Sequence, residues 1–149
     1  MADEASIPVF EAPLGSDLYR RSLALRETIL RKPLGLTLSK DELDDDTMRQ
    51  HFCAVAYGVV IGTVSLRPLD EATLQLKQMA VVPDRRLEKI GARLLAHAEA
   101  WGRDAGFRLM VLHARIEAKG FYFRFGYVPE GAPFDENTIP HVRMTKTLG

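Results

Sequence analysis

A single cysteine, Cys53, in a chain of 149 residues excludes an intramolecular disulfide and a zinc site of the multi-cysteine kind. Set in the apolar stretch Phe52 to Val55, that thiol reads as a core residue rather than a reactive group. Net charge is also absent. The 20 Lys plus Arg balance 20 Asp plus Glu, so no overall field draws the chain to nucleic acid or to an anionic membrane. No apolar run is long enough to span a bilayer, and the start, MADEASIPVF, carries acid where a targeting segment carries base. A cytoplasmic protein with no nucleic-acid and no membrane partner is the expectation. Internal repeats and low-complexity linkers are missing, and Pro and Gly fall between periodic segments instead of clustering at a boundary. One domain over 1–149 is the simplest parse, at a length that folds around one core. The four histidines contain no pair at helical or loop ligand spacing, so a metal-dependent hydrolase is unsupported and no metal is expected.

What is present is ordinary globular material, 46% hydrophobic and 27% charged, divided into segments of distinct period. Ile7 to Phe10 is a short strand candidate. Ser16 caps a helix that presents Leu18, Leu23, Leu25, Ile29 and Leu30 and ends at Pro33 and Gly35. The run SKDELDDD, with Ser39 as a cap, reads as a solvated acidic turn or short helix without chemistry. Between His51 and Leu69 two apolar runs joined at Gly58 predict a β-hairpin, and Thr73 to Val82 adds a third strand. Apolar spacing from Lys89 to Ala105 (Ile90, Leu94, Ala98, Trp101 and Ala105 on one buried face) predicts a helix stopped by Gly106. A strand over Arg108 to Ala114, a short helix over Ala118 to Phe125, a strand from Tyr127 and a final strand over His141 to Leu148 complete the chain. Strand, helix, three-strand meander, helix, strand, helix and strand pair is an α/β order, suited to helices layered on a central sheet.

Two local features bear on chemistry. The third strand breaks its alternation: Leu74 and Leu76 share a face, then Lys77 and Gln78 intervene before Met79 and Val81 resume out of phase. A bulge explains that slip and frees backbone amides for a ligand. The junction VVPDRRLEKIG then runs from strand into helix, where unpaired amides and the positive end of the helix dipole suit a phosphate. Arg85, Arg86 and Lys89 add positive charge there, and Gly91 lets the backbone approach a ligand closely. The local reading is a pyrophosphate cradle.

The run AVVPDRRLEKIGARLL resembles the coenzyme A motif of the GNAT acetyltransferase superfamily, and AKGFYFRFGY resembles its second landmark, a short helix with a Phe-Tyr pair closed by Gly. The tail FDENTIPHVRM is similar to that of the ElaA-like branch. The resemblance implies a largely antiparallel central sheet of six to seven strands with helices on both faces. It implies an N-acetyltransferase moving an acetyl group from acetyl-CoA to a primary amine of a small molecule or peptide, by direct attack in a ternary complex. Amides of Met79, Ala80 and Val81 would serve the pantetheine and acetyl carbonyl, and Arg86, Leu87, Glu88, Lys89, Ile90 and Gly91 the pyrophosphate. Tyr122, of the Phe-Tyr pair, is the acid for the leaving thiolate, and Glu136 and His141 are candidates for contact with the amine. His51 and His113 read as structural. Many relatives dimerise, so a homodimer is an expectation by analogy. Leu87 and Lys89 stand where the usual loop has glycines, and Arg115 where many relatives carry an asparagine. The alternative reading is a non-catalytic acyl-CoA-binding or protein-interaction module of the same fold.

Overall fold

The computed structural model describes residues 7–83 and 88–149, Glu88 by its backbone alone. The Ser16 hydroxyl accepts from the Tyr19 amide at 3.1 Å and caps helix α1, Asp17–Arg26, as the sequence predicts. The helix then widens into a π turn, Glu27–Arg31, and tightens into a 3₁₀ turn, Lys32–Leu34, which ends where Gly35 takes φ 72°. Its buried line differs from the expected leucine face. Tyr19, Ser22 and Arg26 are buried, while Leu18, Leu23, Leu25, Ile29 and Leu30 are half-buried. The reason lies in the next segment.

Ser39 and Glu42 form a reciprocal capping box at the start of α2, Lys40–Asp45, followed by a 3₁₀ turn, Asp46–Met48. The acidic run is not wholly solvated, contrary to the sequence reading. Asp46 is 0% exposed and accepts from Arg26 Nη1 at 2.7 Å and from the Tyr19 hydroxyl at 2.6 Å. A buried carboxylate needs such partners, and supplying them turns the polar line of α1 inward.

Strands β1 (Val9–Glu11), β2 (Gln50–Ala56), β3 (Val59–Pro68) and β4 (Thr73–Val81) pair antiparallel in sequence order. The β2–β3 turn puts Tyr57 and Gly58 at positive φ, 52° and 75°, the pattern of a tight hairpin. After α3, Glu88–Asp104, strand β5 (Leu109–Arg115) lies parallel to β4. Helix α4 (Lys119–Arg124) leads to β6 (Val128–Glu136) and β7 (Ile139–Thr147). The seven strands order as β1-β2-β3-β4-β5-β7-β6. β4–β5 is the parallel neighbour pair in an otherwise antiparallel sheet.

Alternation along β2 assigns the helices to opposite faces. Phe52 and Ala54 pack with Ile90, Leu94, Leu95 and Ala98 of α3, whereas Cys53 and Val55 pack with Tyr19 and the α1 leucines. α3 sits close because β3 offers Gly62: a Cβ there would lie 2.9 Å from a Leu94 methyl and 3.0 Å from Ile90. Ala105 falls beyond the end of α3 and is exposed, not on the buried face. Cys53 is fully buried, and burial pushes its thiol up, as expected of a core residue.

Candidate active site

The bulge predicted from Lys77 and Gln78 is present. Ser65 pairs with Lys77 and Thr63 with Ala80, so β4 carries one residue more than β3 across this interval, and Gln78 takes φ 54°. A long side chain in that region is unfavourable, and two arginines hold it there. Gln78 Oε1 accepts from Arg49 Nη1 at 2.8 Å and from Arg26 Nη2. Arg26 is fixed in turn by Asp46, and Arg49 Nε donates to Asp45 at 2.7 Å. The sequence offers no local signal for this clamp, because its members come from α1, the end of α2, the segment between α2 and β2, and the middle of β4.

Beyond the bulge the sheet opens. The parallel ladder between β4 and β5 joins Thr73–Leu76 to Leu109–Leu112 and stops there, though β4 continues to Val81 and β5 to Arg115. β5 stays paired with β7 along its whole length, and β4 stays on β3. The wedge between them is a cleft of about 170 Å³ whose lining includes Gln78, Met79, Ala114, Tyr122, Glu136 and His141. A second lobe of about 270 Å³ shares Arg31, Gln78, His113 and Glu136 and adds Glu42, Arg49 and Lys77. The π turn at the end of α1 brings Leu30 and Arg31 to this cleft. Such turns concentrate at functional sites.

Tyr122 is 9% exposed, and its hydroxyl donates weakly to Met79 Sδ at 3.9 Å. Burial pushes that hydroxyl up to about 12, so it keeps its proton at neutral pH. Glu136, His113 and His141 converge on the other wall. His113 Nδ1 lies 3.1 Å from Glu136 Oε1, and this bond is the chief cause holding the Glu136 carboxyl below its ordinary value. His141 Nδ1 lies 2.7 Å from the Ile139 carbonyl oxygen, which can only accept, so Nδ1 carries the proton. In the neutral ring Nε2 is then the acceptor, and it lies 3.6 Å from Glu136 Oε2. The β6–β7 turn makes this convergence, with Asn137 and Thr138 at φ 52° and 64°. His113, read from sequence as structural, therefore belongs to the cleft. His51 does not: it is buried, with Nε2 3.0 Å from the Asp46 carbonyl oxygen.

Of the residues expected to hold coenzyme A, Met79 lines the cleft, and Ala80 and Val81 follow it on the bulged stretch of β4. Glu88, Lys89, Ile90 and Gly91 form the first turn of α3, where amides lack helical acceptors. That turn abuts the cleft wall, since a Cβ on Gly91 would meet Phe121 at 3.3 Å and Met79 Sδ at 3.6 Å. Ile90 itself is core, so its contribution to a ligand would be its backbone. Arg86 and Leu87 lie outside the described residues. A splayed strand pair with a bulge on one edge and a helix start beside it fits a thin pantetheine arm ending in a diphosphate. Among the described residues no group of three or more His, Cys, Asp or Glu is arranged to hold a metal ion, and no helix is long and apolar enough to cross a membrane.

Comparison with known proteins bears on the family and the fold. Residues 48–129 match the acetyltransferase (GNAT) domain family. The chain is 34% identical to the aminoalkylphosphonate N-acetyltransferase of Salmonella typhimurium strain LT2, across 74% of this chain and 79% of that one. Among solved structures, Escherichia coli ElaA superposes with TM-score 0.78 at 19% identity, covering 94% of this chain and 99% of ElaA. A GNAT family acetyltransferase from Elizabethkingia anophelis, solved with acetyl-CoA bound, superposes with TM-score 0.71 at 19% identity, covering 95% and 97%. The chain belongs to the GNAT acetyltransferase family and is an acetyl-CoA-dependent enzyme of that family.

Proposed function

We propose that the protein acetylates a primary amine of a small molecule or peptide by direct attack in a ternary complex, with Tyr122 as acid and the His141–Glu136 pair receiving the amine proton. The observation that carries this reading is the opening between β4 and β5, which has a protonated tyrosine on one wall and an acceptor nitrogen beside a carboxylate on the other. A relative named for acetylating aminoalkylphosphonates supports an amine as acceptor.

Acetyl-CoA supplies an activated acyl thioester; the side chains of this chain position and move protons. Main-chain amides of Met79 to Val81, held by the Gln78 clamp, orient the acyl carbonyl, and those of Glu88 to Gly91, with Arg86 and Leu87 preceding them, hold the diphosphate. An amine in solution carries a proton, with a pKa of about 10, and must lose it to attack. His141 Nε2 takes that proton, and the Glu136 carboxylate stabilises the imidazolium formed. As the new C–N bond forms and the C–S bond breaks, the Tyr122 hydroxyl donates its proton to the departing sulfur, and the second proton that the nitrogen sheds on becoming an amide returns Tyr122 to its neutral form. A donor pushed up to about 12 suits this task, because it is protonated at every working pH.

The test is thiol release from acetyl-CoA over a panel of amines, followed by Tyr122→Phe on the best acceptor. We expect kcat to fall on the order of 100-fold while calorimetric affinity for coenzyme A stays unchanged. Unaltered turnover in the variant would remove Tyr122 from the chemistry, and thiol release with no amine in the panel would overturn the enzymatic reading of the cleft.

A further inference from the structure

The second lobe of the cleft is charged, and most of its charges are already matched. Arg31 pairs with Glu42 and Arg49 with Asp45, while Glu136 is hydrogen-bonded to His113. Lys77 differs. It lines the lobe half-buried, and among the described residues it forms no side-chain hydrogen bond or ion pair. A half-buried lysine on this wall keeps its three donors uncommitted to any other side chain, so a ligand in the lobe can supply the acceptor.

We infer that Lys77 seats an anionic group of the acceptor, a carboxylate, phosphate or phosphonate, so that the substrates are small amines bearing a negative charge a few bonds from the nitrogen. The inference rests on the proposed acetyl transfer to an amine and names the class of amine. The lobes adjoin each other at Gln78, His113 and Glu136, which line both. One molecule can therefore lay its amine toward His141 in the first lobe and its anion toward Lys77 in the second. The size of the second lobe, about 270 Å³, suits a compact group and not a folded protein surface. Burial pushes the Lys77 ammonium down, with Arg49 and Arg67 adding to the effect and the Asp45 and Glu136 carboxylates opposing it. A bound anion reverses that effect, so the site gains charge complementarity when the substrate enters.

The experiment compares matched probes: β-alanine against β-alaninamide, and 2-aminoethylphosphonate against ethanolamine. Each is assayed for acetylation and, separately, for calorimetric binding to the protein loaded with coenzyme A. In the native protein the anionic member of each pair is expected to have the higher kcat/KM, on the order of tenfold to a hundredfold. Lys77→Met should erase that preference by raising KM for the anionic amine alone, with KM for acetyl-CoA as it was; any change in kcat that acts through the neighbouring Glu136 should fall on the neutral and the anionic amine alike. Lys77→Arg should restore most of it. Equal use of charged and neutral amines by the native protein, or an unchanged preference in Lys77→Met, overturns the inference while acetyl transfer stands. Binding of the anionic probes that depends on Lys77, with no acetylation of any amine, keeps the anion seat and overturns the catalytic reading instead. Absence of both binding and acetylation for the anionic probes overturns the inference as well.

Discussion

Single side chains in this cleft take their chemistry from what stands next to them. Glu136 is kept ionised by His113, His141 and Lys77 around it, the His113 bond being the largest cause, and it faces the acceptor nitrogen of His141 at 3.6 Å. Its proposed task is electrostatic: a carboxylate beside a forming imidazolium favours the charged state. The sign of a Glu136→Gln change follows. Without the carboxylate the imidazolium formed on proton transfer is less stable, so kcat falls, on the order of tenfold or more. In the native protein the His113 bond holds the Glu136 carboxyl below its ordinary 4.5, so its charge is lost only as pH falls through that lowered value, and the difference between the two proteins should close there. Profiles of the two proteins against one amine provide the check. Equal rates across the whole pH range would remove Glu136 from the proton transfer.

Between elements, the decisive contact is the one that ties α1 and the segment after α2 to the β4 bulge. Arg26 is 2% exposed and Asp46 0%; the pair is bonded at 2.7 and 3.1 Å and reaches Gln78 through the same guanidinium. Burial works against the Asp46 carboxylate, but the bonds from Arg26 and Tyr19 outweigh it and hold the group below its ordinary 3.8. This interaction therefore stabilises the fold above that pH and is lost as pH falls through the lower folded value. Asp46→Asn keeps the shape and removes the charge, leaving Arg26 buried without a counter-ion. We expect a loss of about 3–5 kcal/mol, read as a lower urea midpoint at constant slope. In acid the native protein loses the same interaction, so the two midpoints should converge there. Parallel midpoints at all pH values would mean that the pair contributes nothing net. A conserved kcat in a destabilised Asp46→Asn would separate the clamp's role in folding from its proposed role in holding the Met79–Val81 amides.

At the scale of the whole molecule, what could be read from the sequence was what repeats locally. Apolar spacing predicted α3, whose Ile90, Leu94 and Ala98 are all fully buried. Broken alternation at Lys77 and Gln78 predicted the bulge, and Gly58 marked the hairpin. Pairings between distant residues had no such signature. Arg26 and Asp46 are 20 positions apart, and each resembles a solvent-facing residue until the other is beside it. His113 meets Glu136 23 positions later only because β5, β7 and β6 are neighbours. The cleft is likewise a property of the assembled sheet: it exists because β4 is committed to β3 and β5 to β7 beyond the point where their own ladder ends. Occupying it should therefore stabilise the fold as a unit. A ligand that binds the folded state alone at about 100 times its Kd adds roughly 2.7 kcal/mol. In a chain of this length each kcal/mol raises Tm by about 2–4 °C. Coenzyme A at that excess is expected to raise Tm by roughly 5–10 °C in calorimetry, with the shift growing logarithmically with concentration. Adenosine alone, which carries no diphosphate and no pantetheine, should shift it far less. Equal shifts for the two would mean that neither the wedge between β4 and β5 nor the start of α3 is where the co-substrate is held.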